Sequence, residues 1–109
     1  MKVRAVCIND KDRPKEIPVE KWIKEGEVYH IKHVYNMAKQ GMILGVSLWE
    51  INLKGCDPYN AFRMSRFAID INDLEKLMEL MKACSDLSDF TDDKLKELIK
   101  DTELVEKLF

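Results

Sequence analysis

WIKEGEVYHIKHVYNMAKQGMILGVSLWEIN, residues 22–52, is the stretch that decides the fold. Two runs rich in Val, Ile, Tyr and Trp, Val28–Tyr35 and Met42–Asn52, flank a polar connection, as is typical of a β-hairpin. Gly41 and Gly45 indicate strong curvature, since glycine in a strand often marks a bulge or a barrel corner. The stretch therefore predicts a curved hairpin on which the rest of the chain is arranged.

Two further strands are predicted outside this hairpin. Lys2–Ile8 alternates between faces, and Phe62–Ile69 is a short apolar run that carries two arginines. Between the first strand and the hairpin, Asn9–Pro18 is polar and holds two prolines, so we expect an exposed and comparatively mobile loop. Gly26 is placed to take the positive φ of a tight turn into the hairpin.

After Ile69 the apolar period changes from two to 3.6, which predicts amphipathic helices near residues 73–84 and 92–107. Asn72 with Glu75, and Thr91, are the expected N-terminal caps. The fold class is thus mainly β with an α-helical C-terminal extension (α+β). Residues 1–69 are expected to form a small β-barrel, and residues 70–109 a helical extension packed on the barrel or on a partner. The side chains expected to be mostly buried are Trp22, Val28, Ile31, Leu44, Val46, Leu48, Phe67, Leu77 and Leu98.

Length and composition favour one small soluble domain. The chain has 109 residues, 46% of them apolar and 35% charged. Its first residues lack the apolar core of a signal peptide, and no apolar run approaches the ~20 residues of a membrane helix. We therefore expect a cytoplasmic protein that does not associate with membranes.

Charge is distributed unevenly along the chain. Residues 1–69 carry 12 Lys/Arg and 8 Asp/Glu, a net charge of +4, whereas residues 70–109 carry 6 and 12, a net charge of −6. Such asymmetry is a hint of an electrostatic function, either a basic surface for polyanions or an acidic segment that faces one. The value of +4 is well below the balance of strongly basic nucleic-acid binders.

No motif for catalysis, metal binding or nucleotide binding is present in the sequence. The cysteines Cys7, Cys56 and Cys84 are far apart and are expected to be reduced thiols. His30 and His33 are three residues apart, so on a regular strand they point to opposite faces and do not share a metal. We expect no enzymatic activity and no cofactor.

The motifs VCIND at residues 6–10, WIKEGEVYHI at residues 22–31 and MSRF at residues 64–67 stand in a recognisable order. Together with the polar loop and the curved hairpin, they resemble the Src homology 3-like barrels found as short single-domain proteins of unknown function in bacteriophages and other mobile elements. The resemblance covers about residues 2–69. It implies a small barrel and no activity, whereas the loop Asp10–Val19 and the helical extension depart from the minimal pattern of these proteins.

Three functions remain open from the sequence. The preferred one is a non-enzymatic accessory protein, a protein-interaction module of phage or mobile-element type that binds a protein partner or associates with itself. The alternatives are a barrel that binds single-stranded nucleic acid by stacking bases on aromatic residues over a basic groove, and a small-ligand-binding sponge protein. The candidate binding surface comprises Tyr29, His30, Tyr35, Trp49, Tyr59, Arg63 and Arg66.

Overall fold

The computed structural model describes residues 3–37, 43–99 and 102–105. Within these ranges the chain forms a β-rich first part, two helices and a last strand, which confirms the α+β class. The elements are the strands β1 (Val3–Cys7), β2 (Val28–Asn36), β3 (Leu44–Leu48), β4 (Phe62–Arg63), β5 (Phe67–Asp70) and β6 (Glu103–Val105), and the helices α1 (Leu74–Lys82) and α2 (Asp92–Leu98).

The strands form one curled sheet in the order β4-β3-β2-β1-β5-β6. The first five strands pair antiparallel, and β6 adds to β5 in parallel. β2 is the longest strand, because its first half pairs with β1 and its second half with β3. The pairing register shifts between Ile31 and His33, and such a bulge bends a strand and increases its twist.

The curvature therefore has a different origin from the one predicted. Gly41 lies outside the described residues, and Gly45 pairs in regular register with Tyr35 and Arg63. Gly45 is explained instead by close approach, since a Cβ at this position would overlap the side chain of Met37. Gly26 takes the expected positive φ, at 89°.

The predicted strand over residues 62–69 is divided in two. A single 3₁₀ turn, Met64–Arg66, separates β4 from β5. Within this turn, Met64 is buried. The turn moves the chain across the sheet, because β4 pairs with β3 whereas β5 pairs with β1. The chain therefore contributes to both sides of the curled sheet within nine residues.

One hydrophobic cluster contains side chains from the sheet and from both helices. Of the nine residues predicted to be mostly buried, five are buried and four are partly buried. The buried ones are Ile31, Val46, Leu48, Phe67 and Leu77, and the partly buried ones are Trp22, Val28, Leu44 and Leu98.

The C-terminal segment differs from its prediction at two points. The carboxylate of Asp70, and not the side chain of Asn72, caps the turn before α1 by accepting a hydrogen bond from the backbone N–H of Asn72 at 2.9 Å. α2 ends at Leu98 instead of near residue 107, and the chain then adds β6 to the open edge of β5. The cap at Thr91 is confirmed, since its Oγ1 accepts from the N–H of Lys94 at 3.2 Å.

The loop 9–18 is largely exposed, but it is anchored to the body of the domain. Ile17 is 1% exposed and belongs to the core cluster. The guanidinium of Arg66 donates to the carbonyl oxygens of Asn9 and Lys11 at 3.2 and 2.7 Å. The prediction of an exposed loop is therefore wrong at Ile17, which is buried.

Candidate functional site

A cleft of about 620 Å³ lies between β2, β3 and the loop of residues 51–60. Its size falls in the ordinary range of ligand-binding clefts, roughly 300–1,000 Å³. The cleft combines aromatic, aliphatic and charged side chains. It is lined by Lys32, His33, Tyr35, Ser47, Leu48, Trp49, Ile51, Asn52, Leu53, Lys54, Gly55, Asp57, Asn60 and Phe62.

The bulge in β2 decides which side chains face this cleft. Before the bulge, Tyr29 and Ile31 are buried; after it, Val34 is buried, whereas His33 and Tyr35 are exposed. Because side chains alternate along a strand, one extra residue exchanges the two faces from that point on. Without the bulge, His33 and Tyr35 would share the inward face with Ile31.

The loop 51–60 that closes the cleft is held by its own core residues. Leu53 and Cys56 are 8% and 3% exposed, and the N–H of Cys56 donates to the carbonyl of Leu53 at 3.0 Å. Gly55 has a positive φ of 87°, which turns the chain between these two anchors. The Nζ of Lys21 also donates to the carbonyl of Lys54, at 3.1 Å. The cleft is therefore shaped before any ligand arrives.

Trp49 is the largest exposed aromatic side chain of the cleft, at 50% exposure. Its backbone N–H donates to the carbonyl of His30 at 2.9 Å, and this hydrogen bond fixes the backbone from which the indole extends. The ammonium of Lys32 lies 4.7 Å from the centre of the indole, within the range of a cation–π contact. The indole thus presents a wide apolar surface beside a positive charge.

Two of the predicted site residues, Tyr35 and Trp49, line the cleft. The ring of Tyr35 is 40% exposed and lies 6.0 Å from the ring of His33. His30 does not line the cleft; its backbone N–H donates to the carboxylate of Glu50 at 2.8 Å, and its Nδ1 lies 2.7 Å from that carboxylate. Two aromatic residues of the predicted binding surface thus line one cleft, and their role in binding stays a prediction.

The other four predicted residues do not line this cleft. Tyr29 is a core residue, 8% exposed, whose hydroxyl accepts from the N–H of Lys24 at 2.9 Å. Tyr59 is 37% exposed on the loop of the cleft, and Arg63 is exposed on the edge strand β4. Arg66 holds the loop 9–18 and lies over the ring of Trp22, 5.1 Å from its centre.

Sequence reasoning missed the role of His33. The prediction that His30 and His33 point to opposite faces is wrong, because the bulge between Ile31 and His33 interrupts the alternation. A signal for the bulge exists in the sequence, since two polar residues, Lys32 and His33, stand between the apolar Ile31 and Val34. Lys54 and its neighbours in the loop 51–60 also line the cleft, but no sequence pattern predicts this, because it depends on where the loop packs.

The titratable groups with clearly shifted pKa values lie outside the cleft. Burial raises the pKa of the Cys7 thiol and of the Tyr29 hydroxyl. Burial opposes the ionisation of Asp73, but hydrogen bonds from Arg4 outweigh it and lower the pKa of this carboxyl. At the surface, a hydrogen bond from the ammonium of Lys82 lowers the pKa of the Asp92 carboxyl. These shifts arise from burial in the core and from ion pairs between elements.

Among the described residues, no group of three His, Cys, Asp or Glu side chains is arranged to hold a metal ion. In the same part of the chain, none of the helices has the length and apolar character needed to cross a membrane. Comparison of the chain with protein-family models, curated proteins and solved structures finds no match.

Proposed function

We propose that this protein is a non-enzymatic protein-interaction module whose cleft binds a short extended segment of a partner protein. The observation that carries the proposal is the exposure of Trp49 and Tyr35 in a cleft whose loop is anchored by Leu53 and Cys56. Exposed aromatic side chains on a preformed surface are the usual anchors of protein interfaces, because they bury a large area at little cost in conformational entropy.

We further propose that the curled sheet is a small barrel of the Src homology 3-like type. Three features support this assignment: the strand order β4-β3-β2-β1-β5, the long loop between β1 and β2, and the 3₁₀ turn Met64–Arg66 between β4 and β5. Barrels of this type dock extended peptides in aromatic-lined grooves. The phage or mobile-element setting is a proposal that rests on the sequence motifs alone, and the cytoplasmic location is one that rests on the hydropathy of the sequence.

The side-chain chemistry favours binding over catalysis. Cys7 is 1% exposed, and burial raises its pKa, which disfavours the nucleophilic thiolate. Lys32 and Trp49 make a contact suited to ligand recognition and not to proton transfer.

One observation also favours a second candidate function, the binding of single-stranded nucleic acid. Lys32 beside the exposed ring of Trp49 is the combination of positive charge and stacking surface that such proteins use. The carboxylate of Asp57, which lines the same cleft, opposes a polyanion. Peptide binding is therefore the preferred function.

Selection from a random linear peptide library on the immobilised full chain tests the proposal. We expect enriched peptides that bind the wild type and lose most of their affinity, roughly tenfold or more, on Trp49→Ala or Tyr35→Ala. Ile71→Ala is the matched control, because Ile71 is similarly exposed, at 44%, but does not line the cleft.

Two further measurements separate the alternatives. A titration with single-stranded oligonucleotides between 50 and 200 mM salt tests the second candidate, whose affinity would fall steeply with salt. Light scattering of the free protein tests whether the occupant is a second copy of the chain. An absence of enriched peptides, with tight and salt-sensitive oligonucleotide binding, would overturn the proposal in favour of nucleic acid.

A further inference from the structure

A second cleft, of about 300 Å³, adjoins the first one on β2. His33 and Tyr35 line both clefts, so the two cavities meet along these side chains. The far wall of the second cleft is formed by the carboxyl end of α1, where Ala83 is the C-terminal cap, and by Asp86 beyond it. The bulge that turns His33 and Tyr35 outwards thus creates a wall common to both cavities.

The two clefts differ in the sign of their charge. Lys32 and Lys54 line the first cleft, with Asp57 as its acidic residue. The second cleft carries the carboxylate of Asp86 beside the C-terminal end of α1, where the helix dipole adds partial negative charge. A ligand that passes from one cleft to the other over Tyr35 therefore moves from a positive to a negative environment.

We infer that the two clefts form one polarised groove for an extended peptide with acidic residues at one end, an apolar or aromatic centre and basic residues at the other. The acidic end lies near Lys32 and Lys54, the centre against Tyr35 and Trp49, and the basic end near Asp86. This inference rests on the proposed function and adds the chemistry and the polarity of the partner segment. Complementary charges across an interface fix the register of a partner and exclude wrong ones.

Three parallel selections from the peptide library test the inference, with the wild type, Asp86→Lys and Asp89→Lys as baits. Asp89 is an exposed residue of the same charge, three positions further along, that does not line the groove. Wild type and Asp89→Lys are expected to enrich peptides with opposite charges at their two ends. Asp86→Lys is expected to enrich peptides that are acidic at both ends.

Affinity measurements on one enriched peptide sharpen the comparison. Asp86→Lys should weaken this peptide about threefold to fivefold, as expected for an exposed ion pair, and replacement of its basic residues by glutamate should restore the affinity. Identical enrichment on Asp86→Lys and Asp89→Lys would overturn the inference while leaving the proposed function intact. A library that enriches nothing on the wild type would instead overturn the proposed function.

Cys84 gives an independent readout of occupancy. Cys84 lines the second cleft and is partly buried, whereas Cys7 and Cys56 are buried in the core. Alkylation of Cys84 by iodoacetamide should be slowed by the full peptide and left unchanged by a peptide truncated to its acidic end and centre. Equal protection by both peptides would show that the bound segment does not use the polarity we infer.

Discussion

Asp73 joins the first strand to the first helix through a single carboxylate. It is 3% exposed, and its Oδ2 accepts hydrogen bonds from the backbone N–H of Arg4 at 3.0 Å and from its Nε at 3.1 Å. Asp70, also 3% exposed, forms an ion pair with the same guanidinium at 3.0 Å. Buried carboxylates are tolerated only when they are paired in this way. The contacts of Arg4 with Asp70 and Asp73 therefore hold β1 against the start of α1.

Asp73→Asn is expected to lower the free energy of unfolding at pH 7 by about 1.5–3 kcal/mol, the usual contribution of hydrogen bonds to a charged group. The folded pKa of Asp73 lies below its unfolded value, so the unfolded chain binds more protons. The contribution is therefore complete above about pH 3.9 and is lost as the pH falls through the folded pKa. Urea unfolding from pH 7 to pH 3 measures both effects.

Asp92→Asn is the control for this experiment. Asp92 also has a lowered pKa and an ion pair with Lys82, but it lies at the surface, where such pairs contribute little. We expect a much smaller loss of stability at pH 7. Equal losses in the two variants would contradict a special role for the buried pair.

The strands show how much of the fold can be predicted from the sequence. Apolar runs of period two predicted β1 and β2 within a residue or two, because local side-chain patterning reflects burial directly. β3 ends at Leu48 and not at Asn52, and the apolar residues beyond it belong to the loop of the cleft. An apolar run alone does not reveal whether it continues a strand or anchors a loop.

The candidate site could be predicted only in part for the same reason. Trp49 and Tyr35 stand out as aromatic residues in strand patterns, and both line the cleft. Tyr29 carries the same signal but lies in the core, because the bulge that separates its face from that of Tyr35 depends on pairing with two different strands. Which aromatic residue is exposed is thus a property of the sheet and not of the local sequence.

Ile17→Ala tests whether the loop 9–18 is part of the folded structure. Ile17 is fully buried although the eight residues before it are polar or proline, so its truncation should leave a cavity and cost about 2–5 kcal/mol. Thermal and urea unfolding measure the change. Val19→Ala is the matched control, since Val19 is 57% exposed and its truncation should change the stability by less than about 0.5 kcal/mol. Similar small effects in both variants would indicate a loop that is dispensable for the fold.

The whole molecule is held together by one core to which both halves of the sequence contribute. The change of period after Ile69 predicted the two helices, although α2 ends at Leu98 and not near residue 107. β6 was not predictable, because its place depends on the open edge of β5. The boundary at residue 69 as a division between domains stays a prediction. The described contacts show that five fully buried or nearly buried side chains beyond it share the core with the sheet: Leu77, Met81, Leu87, Leu95 and Ile99.

Truncation of the chain after Ile69 is therefore expected to abolish cooperative folding. Each of the five side chains contributes about 1.5–3 kcal/mol through burial, a total on the order of 10 kcal/mol. The whole free energy of unfolding of a domain is only about 5–15 kcal/mol, so the fragment 1–69 should not remain folded. Circular dichroism with urea unfolding measures this, and a chain ending at Thr102, which lacks β6 but keeps both helices, should still unfold cooperatively at a lower midpoint. A cooperative transition in the fragment 1–69 would contradict packing of the helices on their own sheet, and would favour a role for them in contact with a partner.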